Sequence, residues 1–224
     1  MIYGLNNKWW LWCECLSVFL VIPVLLWLRL FTTPLIMLPL FILCIPVTIW
    51  LGKEYGFSWA LFWRGELEAE RRQLRKIIKR FLVNALLLIG LLLLCYPEHL
   101  FDLPRNMTLL WLLIIVLYPL FSVYPQELLY RTFFLRRYRS LFKNQRYVVL
   151  LNALLFGWMH IVFHNVLAVV FTFIGALLFA DTYRNTRSLR LTCLEHAMYG
   201  NLLFTLGYGQ AFLFGSLLDY FNRL

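Results

Sequence analysis

Charge is what this sequence has least of. Only 14% of its 224 residues are Asp, Glu, Lys or Arg, against about 25% in an average globular chain. Hydrophobic residues make up 62% of the chain, aromatics alone 18%, which is more apolar surface than a water-soluble domain can cover, so that class is excluded. The first apolar run, 9–28, has no small-residue cleavage pattern after it and is longer than the ~7–15-residue core of a secretory signal, so it reads as a membrane span. A disulfide framework and a zinc cluster are excluded too. The five cysteines, at 13, 15, 44, 95 and 193, are scattered through apolar stretches, and Cys13 and Cys15 are too close in the chain to pair comfortably. No HExxH pair and no internal repeat is present.

What the chain has in quantity is long hydrophobic runs, and a ~30 Å hydrocarbon core needs about 20 residues per helix. Hydropathy and punctuation place spans near 9–28, 35–51, 81–96, 107–123, 147–163, 165–180, 189–204 and 203–218. The expected fold is all-α, a polytopic membrane helical bundle of about eight transmembrane helices. It forms one membrane domain over 1–224, in which 1–106 supplies N-terminal spans and a cytoplasmic connector and 107–224 the C-terminal core. The net charge of +10 is concentrated in three connections, Lys53 to Arg80, Arg136 to Arg146 and Arg184 to Arg190. By the positive-inside rule both termini are cytoplasmic, in the plasma (inner) membrane, and the charge is explained without nucleic acid. Residues 66–80 read as an amphipathic helix at the headgroups, with Leu67, Leu74, Ile77 and Ile78 gathered on one side.

An ionisable side chain inside a span costs roughly 2.5–3.5 kcal/mol on insertion scales, so each one is a candidate for function. Glu14, near the start of the first span, reads as structural, and His99 as ordinary loop. Three segments are different. Pro125 suits a first helical turn and puts Gln126 and Glu127 near its positive end, with Arg131 on the same face as Glu127. His160 and His164 lie four apart, followed by Asn165, although His164 also suits a turn between two spans. Glu195 and His196 sit in a third apolar helix.

Two chemistries fit one carboxylate and several histidines on separate helices. Glu127 can act as a general base, tuned by a dry site and Arg131, with histidines bonding the oxyanion. Alternatively, two histidines and a carboxylate can hold a divalent metal such as zinc, with a fourth position for water. Spacing does not choose between them. A proton-relay transporter is a third reading, weakened by the lack of repeat symmetry.

Gln126-Glu-Leu-Leu-Tyr-Arg131, Phe156-Gly-Trp-Met-His160 and His196-Ala-Met-Tyr-Gly-Asn201 occur in that order. They resemble the Glu-Glu-x-x-x-Arg, Phe-x-x-x-His and His-x-x-x-Asn/Asp motifs of the CAAX prenyl endopeptidase and bacteriocin-processing (CPBP, Abi-type) family of intramembrane proteases. The likeness covers about 125–205. It implies an intramembrane endopeptidase acting on a membrane-associated protein or peptide, with Glu127, Arg131, His160 and His196 catalytic and Gln126, His164 and Asn201 supporting. If a metal is bound, His160 and His196 are its ligands. The chain departs from the pattern twice. Gln126 stands where the family has its first glutamate, and an amide is not a base. Asn201 falls five residues after His196 rather than four. A catalytically silent relative that uses the same polar cavity as a binding or immunity-type scaffold is therefore the second expectation.

Overall fold

A computed structural model describes residues 7–28, 38–55 and 66–212. Among the described residues it is helical throughout, with no strand. The elements are α1 (Lys8–Trp27), α2 (Leu38–Tyr55), α3 (Leu67–Cys95), a short α4 (Asp102–Asn106), α5 (Thr108–Arg137), α6 (Gln145–Phe163), α7 (Val166–Thr186) and α8 (Leu189–Leu206). Five of them, α1, α3, α5, α6 and α7, are long and apolar enough to cross a membrane, and α2 contains a shorter apolar stretch, Pro39–Lys53. The protein is thus a multi-pass membrane protein. Five such helices among the described residues do not establish the eight spans expected, and the end of the run at 203–218, from residue 213 on, lies outside those residues.

Two expected boundaries are absent. The amphipathic stretch at 66–80 and the span at 81–96 form one unbroken helix, α3, of 29 residues. At 1.5 Å per residue it is about 43 Å long, well beyond a ~30 Å core, so its first turns project past the hydrocarbon. The span at 107–123 likewise runs through Pro119 and Pro125 to Arg137. A proline removes one helical N–H and crowds the preceding turn, and α5 accommodates both by widening into π turns at Pro119–Val123 and Leu128–Phe134. Such turns recur at functional sites.

Polar contacts hold the helices together where lipid gives no hydrophobic drive to associate. Along one face of α3, Glu70 accepts from Arg190 at 2.6 Å, Gln73 donates to Thr182 at 2.9 Å, and Asn84 donates to the Tyr199 hydroxyl at 2.9 Å. Between them Arg80 meets Glu195 with two bonds of 2.7 Å. Leu67, Leu74 and Ile78 face outward, while Ile77 is buried, so the apolar side expected of this segment is divided between the outer surface and the protein interior. Glu14 has the structural place expected of it, accepting from Arg137 at 3.0 and 2.8 Å and from the Tyr138 hydroxyl at 2.9 Å. The main apolar core, which includes Leu11, Phe19, Tyr130, Phe134, Tyr138 and Phe156, lies where α1, α2, α5 and α6 meet.

Candidate active site

A cavity of about 590 Å³ opens between α1, α2, α3, α5, α6, α7 and α8. Its walls are mostly apolar, and its polar lining comes chiefly from Asn84, Tyr118, Ser122, Gln126, His160 and His196. All three motifs therefore contribute to one place, with Gln126 from α5, His160 from α6 and His196 from α8.

Glu127 stands behind this wall rather than in it. It is fully buried, and its Oε1 lies 2.8 Å from His196 Nδ1 while Oε2 is 3.1 Å from Arg131 Nε. The Arg131 contact is an ion pair whose angle does not make a hydrogen bond. Arg131, also fully buried, donates through Nη1 to the Asn152 carbonyl, and Asn152 donates in turn to the Tyr130 carbonyl at 2.8 Å. The guanidinium also lies over the Phe156 ring, 5.0 Å from its centroid. Charge, hydrogen bond and ring contact offset part of the cost of burying this cation, whose Nε and Nη2 have no hydrogen-bond partner among the described residues.

With Nδ1 given to Glu127, His196 turns Nε2 toward the Tyr118 hydroxyl, 3.0 Å away. Its ring stacks on Phe179 at 4.5 Å and meets Phe156 edge-on at 5.7 Å. His160 is fixed in a different way. Its Nδ1 is 2.7 Å from the Phe156 carbonyl, a partner that can only accept, so Nδ1 carries the proton and Nε2 is left to the cavity. Gln126 donates to Ser122 at 2.7 Å, and its carbonyl oxygen is buried without a protein partner.

Two expected supporting residues are not brought to this place. His164 is exposed at the end of α6, at φ 54°, and stacks against Trp27 at 5.7 Å. The left-handed backbone makes it the turn residue between two helices that its position also suggested. Asn201 is not in the cavity lining, and its amide donates weakly to the Ile115 carbonyl at 3.4 Å. Five positions after His196 lie about 140° around a helix, on another face. The residue four positions on is Gly200, which does line the cavity.

No group of three His, Cys, Asp or Glu side chains among the described residues is placed to share a metal ion. The Glu127 carboxylate meets His196 at Nδ1, on the far side from the cavity-facing Nε2, and so buttresses the ring instead of completing a ligand set with it.

Sequence reasoning missed Tyr118, Asn152 and Arg80. None has a local spacing signal, since each meets its partner on another helix.

Comparison with known families gives one match. Residues 106–202 fit the family model for Rce1-like type II CAAX prenyl endopeptidases. This stretch of rather less than half the chain runs from the end of α4 into α8 and holds all three motifs. The match supports the resemblance read from the motifs, to intramembrane proteases of the CAAX and bacteriocin-processing type. No curated protein and no solved structure matches the chain.

Proposed function

We propose that the protein is an intramembrane endopeptidase that hydrolyses a peptide bond in a membrane-associated protein or peptide, at the cytoplasmic side of the bilayer. The observation that carries this reading is the buried Glu127–His196 pair, whose imidazole edge opens on an apolar cavity shared with His160. Residues 107–224 form the catalytic core, although α1, α2 and α3 also contribute to the cavity wall. The accumulation of Lys and Arg in the three connections supports cytoplasmic termini, with the inner membrane as the site of action.

In this mechanism the direct basic role expected of Glu127 becomes a relayed one. Glu127 accepts the Nδ1 proton of His196 and so keeps a lone pair on Nε2. Nε2 takes a proton from water as its oxygen attacks the peptide carbonyl, and later returns that proton to the leaving amine. The Glu127 carboxylate stabilises the transient imidazolium, and Arg131, 3.1 Å from its Oε2, helps to orient it. Gln126 is no base, but its unpartnered carbonyl can accept the other water O–H and orient the nucleophile. Neutral His160 presents an acceptor, so its natural partner is a substrate N–H rather than an oxyanion. No step is routed through a metal.

The test uses purified protein in proteoliposomes with a library of hydrophobic fluorogenic peptides, prenylated and unprenylated, cleavage sites being mapped by mass spectrometry. Wild type should cleave members of the library, and Glu127→Gln and His196→Ala should each lose about 100-fold or more in kcat. Activity should survive dialysis against a chelator. Equal cleavage by wild type, Glu127→Gln, His160→Ala and His196→Ala would refute the proposal.

A second reading, the silent scaffold, is favoured by one observation: no Asp or Glu lines the cavity among the described residues. Should Gln126→Glu create cleavage that wild type lacks, that reading replaces the first.

A further inference from the structure

We propose that Tyr118 is a catalytic residue of this site, donating its phenolic hydrogen bond to the oxyanion formed on the substrate carbonyl. The inference rests on the protease reading above. Three independent features place the hydroxyl there. Tyr118 lines the cavity and lies 3.0 Å from His196 Nε2, the atom that takes the water proton. In the neutral ring whose Nδ1–H is held by Glu127, Nε2 is an acceptor and the phenol is the donor. An O–H donor is thus held one hydrogen bond from the base, where the tetrahedral centre must form.

The second feature is the room made for it. A Cβ added at Gly200, one turn beyond His196 on α8, would overlap the Tyr118 ring and its hydroxyl oxygen. Glycine is a poor helix former relative to alanine, and in mid-helix its packing consequence is the close seat for this phenol. The third is backbone geometry. The π turn Pro119–Val123 starts at the next residue, and the ring is wedged edge-on between His196 at 6.0 Å and Phe204 at 5.6 Å. The ring and its oxygen are therefore held in place, so that rotation about the C–O bond alone re-aims the donor.

When substrate enters, water displaces the phenol from Nε2 and the hydroxyl turns its hydrogen to the developing oxyanion. No bond to Tyr118 forms or breaks, and the proton stays on the phenol throughout. His160, whose neutral Nε2 is an acceptor, cannot supply this donor, and Gln126 has its amide N–H on Ser122. Among the described groups that line the cavity, Tyr118 is the one whose hydroxyl is hydrogen-bonded to His196 Nε2.

The experiment compares wild type, Tyr118→Phe and Gly200→Ala in proteoliposomes. Two readouts are taken, steady-state cleavage of the best library peptide and displacement binding of its phosphinic analogue, which carries a tetrahedral anion in place of the scissile amide. Tyr118→Phe, which removes only the hydroxyl, should lower kcat by about 100-fold with KM changed less than about threefold, and should weaken the phosphinic peptide while sparing the uncleaved ground-state peptide. Gly200→Ala should shift the ring and show the same split in milder form. A Tyr118→Phe protein that keeps wild-type kcat, or that loses only KM, overturns the assignment. Wild type that cleaves no peptide refutes the protease reading and this inference with it, an outcome distinct from an active wild type with an equally active Tyr118→Phe.

Discussion

Removing Arg80 should destabilise the fold more than any change to an exposed charge. Its guanidinium makes two 2.7 Å bonds to Glu195, and others reach Thr182 at 2.6 Å, the Leu178 carbonyl at 3.1 Å and Asp181 at 3.2 Å. The Glu195 side chain is 0% exposed and that of Arg80 16%, so water cannot replace the lost partner. Arg80→Ala leaves a buried carboxylate with only the Thr182 hydroxyl at 2.6 Å, and breaking such a pair from one side costs about 3–5 kcal/mol. Glu195→Gln keeps the shape and one acceptor and should cost about 1–2 kcal/mol. The assay is reversible unfolding in mixed dodecylmaltoside and SDS micelles, followed by the fluorescence of the nine tryptophans. Arg80→Ala, Glu195→Gln and the double variant make a double-mutant cycle, with an expected coupling of about 2 kcal/mol. Arg80→Ala within about 1 kcal/mol of wild type, or coupling near zero, would refute the reasoning. An Arg80→Met, Glu195→Leu pair should be nearly neutral, because two apolar groups leave no charge stranded.

Asn152→Ala removes the carbonyl partner of Arg131 and should cost about 1.5–3 kcal/mol in the same unfolding assay, with lowered kcat in peptide cleavage as Arg131 loosens its hold on Glu127. His164→Ala should leave kcat within about twofold, since the imidazole is outside the cavity. Glu14→Gln turns a paired carboxylate into an amide at the α1–α5 contact and should lower stability by about 0.5–1 kcal/mol, read from the unfolding midpoint.

The motif residues were legible because each motif is local. Gln126, Glu127 and Arg131 lie within two helical turns, and His160 and His196 each stand out against an apolar helix. Their convergence followed from the order of the motifs. What was hidden is long-range or backbone-dependent. Arg80 reads as one more basic residue of a cytoplasmic connector until α3 is seen to run straight into the bundle and set it against Glu195, 115 residues away. Pro125 suggested the first turn of a new helix, whereas α5 runs unbroken through it and through Pro119, with two π turns. The same geometry gives Gln126 the cavity and turns Glu127 inward, a division that the adjacent pair could not disclose. α8 was expected to span on hydropathy, yet it is absent from the helices apolar enough to do so alone; its Glu195 and His196 are satisfied by α3 and α5.

The polar face of α3 also bears on how the chain is made. Glu70, Gln73, Arg80 and Asn84 find their partners at Arg190, Thr182, Glu195 and Tyr199, all more than 100 residues later in synthesis. α3 therefore leaves the ribosome well before α7 and α8 exist, with a stripe of polar groups that lipid cannot satisfy. Until those helices emerge, the segment must wait at the interface or beside the insertion machinery, and a chain truncated before α7 would be a natural substrate for membrane quality control.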